Sequence, residues 1–231
     1  MFGKFQITEI IDRTTNVRSF RFNRPHDFLY LPGQYVLVQV ENNGKMIQKP
    51  FSLSSSPTEE GSIEFTKKLT GHEFSDALKA REVGDELDID GPYGSFILNE
   101  QEKKIVMLAG GIGVTPFRSM IKYSMDRYLD NNIVLICSNR TEDDIIFYNE
   151  FKSMMRSSRL SIVLTCTRPS DQWKGICGRI DRTMIKKEVP DFLKRLFYIC
   201  GPPPMVQGMR EMLEEIEIPK ERIFFEDFFG Y

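Results

Sequence analysis

The hydrophobic pattern changes period once, between residues 98 and 103, and that change constrains the fold more than any other feature of the chain. Before it, short β-forming stretches ("KFQITEI", "NVRSFRF", "GQYVLVQV", "SIEFTKK", "DELDIDG") alternate with turn segments ("RPHD", "LPGQ", "ENNGK", "PTEEGS"). Short strands at this spacing predict a small antiparallel β-barrel. One helical segment, "EFSDALKA" at 73–80, interrupts it. After the change, apolar β runs at 104–109, 132–137, 160–166 and 196–200 are followed by helical stretches, and "RIFFED" reads as a final strand. The helix at 116–129 places Phe117, Met120, Ile121, Ser124, Met125 and Tyr128 on one face. The segment 204–216 does the same with Met205, Val206, Met209, Met212, Leu213 and Ile216. Strands alternating with helices imply a doubly wound parallel sheet. The expected fold is therefore α+β in two domains, an antiparallel β-barrel over 1–99 and an α/β unit over 100–231.

A chain of 231 residues, 41% hydrophobic, can bury two such cores. Its 31 basic and 33 acidic side chains are interspersed and net to −2, which argues against a nucleic-acid partner or a membrane surface. No apolar run is long enough to span a bilayer and "MFGKFQITEI" lacks a signal-peptide pattern, so the expected location is the cytoplasm. The four cysteines, Cys137, Cys166, Cys177 and Cys200, form no C-x-x-C pair. With only His26 and His72 beside them, no metal site is expected.

Chemistry concentrates in "KIVMLAGGIGVTPFRSM", residues 104–120. An apolar strand ends at Ala109, Gly110, Gly111 and Gly113 follow, and Thr115 with Pro116 form a helix-start signal. Missing side chains let a flat or anionic ligand approach the backbone, and a helix N-terminus offers free N–H groups to it. The spacing is neither a Walker loop nor the G-x-G-x-x-G fingerprint. "FYICGPPPMVQGM" repeats the logic with Cys200, Gly201 and Pro202 before a helix. In an open parallel sheet, ligands lie beyond the carboxyl ends of the strands.

Taken together, "KPFSLSS" (49–55), "TGHEFSDAL" (70–78), "GPYGSF" (91–96), "GGIGVTP" (110–116) and "CGPPPM" (200–205) resemble the ferredoxin–NADP reductase superfamily along essentially the whole chain. The resemblance implies a flavin-binding barrel followed by a nicotinamide-nucleotide domain. It assigns Lys49, Pro50, Phe51 and Ser52 to the flavin: the lysine faces the phosphate, the phenylalanine stacks on the rings, and the serine reaches flavin N5. Lys49 stands where the family has arginine, so a point charge replaces a bidentate fork. Phe51 lacks the usual tyrosine hydroxyl. Gly71, Glu73, Phe74 and Ser75 correspond to the second flavin loop, with one residue more than the usual spacing. Thr66, Lys67 and Lys68 either line the phosphate path or are solvated strand residues. Gly110, Gly111, Gly113, Val114, Thr115 and Pro116 match the nicotinamide loop, flanked by Gly201, Pro202 and Met205. Cys200 matches the cysteine against the nicotinamide ring, Glu226 the nearby carboxylate, and Tyr231 the terminal aromatic that covers the flavin, with Phe228 and Phe229 as competitors.

The implied activity is that of an NAD(P)H-dependent flavoprotein reductase. FAD is expected in preference to FMN. Hydride passes from NADH or NADPH to FAD and electrons then pass singly to a ferredoxin, flavodoxin, rubredoxin or oxygenase component. A flavin reductase using free FMN or riboflavin, and an electron-transfer subunit of a larger complex, are the alternatives. Arg140, Ser138 and Arg168 suit a 2′-phosphate, whereas "NRTEDDI" resembles NADH-using members and its acidic run, if it faces inward, repels a phosphate; the reading leans to NADH with NADPH as the alternative.

Overall fold

The structure, a computed structural model, describes residues 2–42, 44–155 and 158–228. It contains two compact units, one made of residues up to 98 with 115–127, the other of 99–114 with 128 onward.

In the first unit, β1 (Phe2–Thr14), β2 (Val17–Asn23), β3 (Tyr35–Asn42), β4 (Lys45–Ser52), β5 (Ser62–Lys68) and β6 (Glu86–Tyr93) form one antiparallel sheet ordered β4-β3-β6-β1-β2-β5. A bridge between Leu53 and Phe65 brings the end of β4 against β5 and rolls the sheet into a barrel. In β3, Val36, Val38 and Val40 are buried and their neighbours are not, the period-2 signature of a strand with one face on a core. Phe20, Phe22, Phe65, Leu53 and Ile89 complete that core. β4 is a strand that the sequence pattern did not announce. Most of its residues are exposed, and only Ile47 and Phe51 pack against the core, so its alternation is weak. Helix α1 (Glu73–Lys79) buries Phe74 and Leu78.

Helix α2 (Thr115–Asp126) also packs within this unit, although it follows the glycine segment in the chain. Phe117 meets Phe96 with ring centroids 6.0 Å apart. Gly33 takes φ +105°, and a Cβ on it would lie 2.1 Å from the Phe96 carbonyl oxygen, so the glycine permits the backbone at Phe96 to pass this close. The helix ends before the expected 129. Tyr128 takes φ 54° and is 83% exposed, so it leaves the apolar face on which the helical spacing put it.

The second unit carries β7 (Lys104–Gly110), β8 (Asn132–Asn139), α3 (Tyr148–Met154), β9 (Leu160–Cys166), β10 (Ile176–Cys177), α4 (Arg182–Glu188), β11 (Leu196–Gly201), α5 (Pro203–Glu215) and β12 (Ile223–Asp227). Its sheet is parallel, ordered β10-β9-β8-β7-β11-β12. β7, β8 and β11 are buried almost throughout, which explains why they read as continuous apolar runs rather than alternating ones. Val106, Leu108, Ile136, Phe197 and Ile199 share a core with Ile185, Val206, Met209 and Leu213. The first residue of this unit is pinned by Tyr198, whose hydroxyl accepts from the Asn99 N–H at 2.9 Å while its ring stacks on Phe224. Tyr198→Phe is expected to cost about 1 kcal/mol, measured by denaturant unfolding, because the Asn99 N–H loses its partner. An unchanged midpoint would contradict this.

Among the described residues, no helix is long and apolar enough to cross a membrane, and no group of three His, Cys, Asp or Glu is arranged to hold a metal.

Candidate functional site

Two sets of residues stand out, one in each unit.

In the barrel, β4 delivers Lys49, Pro50, Phe51 and Ser52 in succession. Ser52 is buried, and Phe51 is half-buried with its ring 5.0 Å from Phe65 and 5.4 Å from Phe74. Lys67, on β5, is only 7% exposed, and its ammonium lies 6.0 Å from the Phe51 ring centroid. Burial, reinforced by the nearby Lys49 charge, pulls the Lys67 pKa down to about 8. The Lys67 ammonium, buried and subject to the Lys49 charge, is better accommodated with an anion beside it. This arrangement fits the phosphates of a flavin nucleotide. Thr66 is different, since its hydroxyl is shared with Ser19 at 2.7 Å and Ser54 at 2.8 Å. Lys68 is half-buried beside it. Gly71 turns at φ +71° just before α1, where Glu73 is exposed, Phe74 is buried, and the Ser75 hydroxyl pairs with Thr70 at 3.2 Å.

In the second unit the sheet order reverses between β7 and β11, the switch point at which open α/β sheets bind ligands. Both glycine motifs sit there. Helical winding begins at Gly111 as a 3-10 turn (Gly111–Val114) that runs directly into α2, earlier than a helix capped at Thr115 would start. A Cβ on Gly110 would lie 2.1 Å from Met205 Sδ, and one on Gly113 would lie 2.3 Å from the Cys200 carbonyl oxygen. Gly111 has φ +51° and nothing within 4 Å of such an atom, so the turn presents bare backbone to open space. Pro202 caps α5, with Pro203 and Pro204 as its first residues, which gives the other wall a fixed φ. Val114, Thr115 and Pro116 are buried.

Cys200 is fully buried and lies in register with Ala109 on one side and Glu226 on the other. Burial holds its thiol well above the usual range, with Glu226 and Asp227 adding to the effect. A thiol raised in this way stays protonated at neutral pH. The Phe228 N–H donates to the Gly201 carbonyl at 2.9 Å, carrying the pairing of β12 one residue further. Tyr231 and Phe229 lie outside the described residues.

Ser138 is in register with Gly110, at the same strand ends. Arg140 and Arg168 are brought together by a 2.7 Å backbone hydrogen bond, and both side chains are exposed. The acidic run beside them is partly committed locally. Asp144 accepts from the Thr141 N–H and hydroxyl at 3.1 and 2.9 Å, and Glu142 accepts from the Ser170 hydroxyl and N–H. The Ser170 hydroxyl holds the Glu142 carboxyl below the ordinary range.

The sequence pattern missed Arg118, Ser119 and Glu59, which fasten the segment after Ser52. The signal was an Arg-Ser pair inside an apolar helix, on residues 4% and 0% exposed.

Comparison with known proteins agrees with this geometry. Residues 4–97 match the Oxidoreductase FAD-binding domain family and residues 107–211 the Oxidoreductase NAD-binding domain family. The glycine betaine monooxygenase reductase subunit of Chromohalobacter salexigens is 34% identical over 217 residues, covering 89% of this chain and 58% of that one. The chain thus spans little more than half the length of these curated relatives. NADH-cytochrome b5 reductase 1 of Dictyostelium discoideum is 30% identical over 231 residues, covering 96% of this chain and 81% of that protein. The crystal structure of the cytochrome b5 reductase domain of Ulva prolifera nitrate reductase superposes with a TM-score of 0.87 at 25% identity, over 98% of this chain and 97% of that one. A barrel matching FAD-binding domains, joined to a parallel sheet whose two glycine motifs meet at its switch point, makes this chain a member of the ferredoxin–NADP reductase superfamily.

Proposed function

We propose that the chain is an NAD(P)H-dependent flavoprotein reductase that passes electrons to a separate acceptor, an oxygenase component or a small redox protein. Residues 1–99 serve as the flavin domain and 100–231 as the nucleotide domain. The observation that carries this reading is the meeting of Gly110–Gly113 with Cys200–Met205 at the β7/β11 switch point, in a chain that also has a flavin-type barrel. The names of its relatives, reductase subunits of monooxygenases and cytochrome b5 reductases, support the acceptor class.

Bound FAD would supply the chemistry that links two-electron hydride donors to one-electron acceptors. The chain's own residues bind and orient. Lys49 and Lys67 hold the phosphates, Phe51 offers a ring face, and Ser52 offers a hydroxyl at N5. Gly111 and Gly113 admit the nicotinamide nucleotide to the backbone, and Cys200 with Glu226 borders its ring. Gly71, Glu73, Phe74 and Ser75 with Thr66 and Lys68 line the flavin side. Ser138, Arg140 and Arg168 flank the adenosine end. Tyr231 serves as an aromatic cover for the flavin. Four free thiols suit the cytoplasm.

The purified protein, loaded with FAD under anaerobic conditions, is expected to lose its visible flavin band on addition of NADH or NADPH. The ratio of the two rates in stopped flow reports the preferred nucleotide. A protein that takes up no flavin would sink the proposal. A second reading, flavin as an exchanging substrate, is favoured by lysine at 49 and by the cost of burying Lys67. Equilibrium dialysis separates them, since a dissociation constant in the micromolar range or above marks an exchanging flavin.

A further inference from the structure

The segment after Ser52 is held by more polar bonds than its length requires. Arg118 Nη1 donates to the Ser54 carbonyl at 2.7 Å, and the same guanidinium forms a two-pronged pair with Glu59 at 2.8 and 3.0 Å. The Ser119 hydroxyl donates to the Ser55 carbonyl at 2.6 Å. Glu59 in turn accepts the Ser56 N–H at 2.6 Å. From the other side, the N–H groups of Ser54 and Ser55 donate to the Glu64 carbonyl at 2.8 and 3.3 Å, and Leu53 N–H donates to Gln34 at 2.9 Å. The N–H groups of residues 53–56 and the carbonyls of Ser54, Ser55 and Ser56 are thus engaged.

The arrangement is not the most stabilising one available. With Arg118 buried and Glu59 partly so, an ion pair commonly contributes less than apolar residues of the same volume, because desolvation offsets the Coulomb attraction. Arg118 and Ser119 lie on successive positions of a twelve-residue helix and are 4% and 0% exposed. What such a pair provides is geometry, since a planar fork fixed on two carboxylate oxygens and a carbonyl fixes orientation as well as distance.

We propose that Arg118, Ser119 and Glu59 form a clamp that sets the position of the Ser52 hydroxyl toward the flavin, which makes them positioning residues for electron transfer. The proposal rests on the flavoprotein reading above. It predicts that the clamp affects oxidised and reduced flavin unequally, because N5 exchanges its acceptor lone pair for an N–H on reduction.

The test measures the dissociation constants of oxidised and dithionite-reduced FAD for the full chain and for Arg118→Met, Ser119→Ala and Asp126→Asn. In Arg118→Met and Ser119→Ala the ratio of the two constants should change by at least about tenfold, a shift of about 30 mV in the two-electron potential. Asp126→Asn weakens the Thr58–Asp126 hydrogen bond on the same loop together with the Lys122–Asp126 ion pair, and serves as the control for a loosened loop with the clamp contacts in place. It should lower the melting temperature and leave the ratio within about twofold. If Arg118→Met does not fold, Ser119→Ala decides alone. An unmoved ratio in the folded clamp variants, or an equal change in Asp126→Asn, overturns the clamp and leaves the flavoprotein reading standing. Failure of the unaltered chain to take up FAD overturns both.

Discussion

Gly113→Ala is expected to destabilise the second unit by at least about 3 kcal/mol and to weaken nicotinamide-nucleotide binding by about 100-fold or more. The added carbon would lie 2.3 Å from the Cys200 carbonyl oxygen, 2.6 Å from its carbon and 2.8 Å from Gly201 Cα. All three neighbours are backbone. They belong to β11, which is hydrogen-bonded to β7 on one side and β12 on the other, so the strand cannot yield cheaply. The turn must move instead, and it is the turn proposed to admit the nucleotide. Gly111→Ala makes the useful contrast. Its φ of +51° costs an L-residue about 1–2 kcal/mol, but nothing stands in the way of the methyl group. Thermal melts and nucleotide titrations of the two variants should therefore separate, with Gly113→Ala much the worse. A Gly113→Ala protein that melts and binds as the unaltered chain does would refute the packing argument.

The second large effect is expected at Lys67, where stability and binding should move in opposite directions. Burial lowers its pKa from the ordinary 10.5 to about 8, so the unfolded chain binds more protons than the folded one between those values. The flavin-free protein should become more stable as the pH rises from about 8 to 10.5, and below about 8 it carries the full penalty. At about 1.4 kcal/mol per unit that penalty is on the order of 3 kcal/mol, and Lys67→Met should remove it. Flavin affinity should show the reverse slope. An anionic phosphate favours the charged lysine, so binding weakens above pH about 8, by up to tenfold per unit. Lys67→Met should bind FAD about 10- to 100-fold more weakly at pH 7 while melting at a higher temperature without flavin. Paired melts and flavin titrations across this pH range decide the matter. Lys67→Met with a lower melting point and unchanged flavin affinity would show that the ammonium is a structural group.

Local pattern was sufficient for much of this molecule. The shift from alternating strands to buried apolar runs near residue 98 marked where an antiparallel barrel gives way to a parallel sheet, because the two sheet types bury different numbers of faces. The two glycine segments and the prolines of α5 were legible for a similar reason. A residue without Cβ and a residue with fixed φ each announce a backbone requirement, whatever surrounds them. β4 was not legible, since a mostly exposed strand leaves little apolar period to read.

Tertiary structure decided the rest. That Gly113 packs on Cys200, that the Lys49 charge acts on Lys67, and that Arg118 reaches Ser54 and Glu59 are relations between residues from 18 to 87 positions apart. The sequence also placed Tyr128 on the apolar face of α2, and the folded chain turned it out to solvent. Sequence determines which backbone shapes are permitted at each position, because that is a property of one residue and its neighbours. Which side chains then share a charge, a clash or a hydrogen bond depends on how distant segments close on one another, and only the folded chain fixes that.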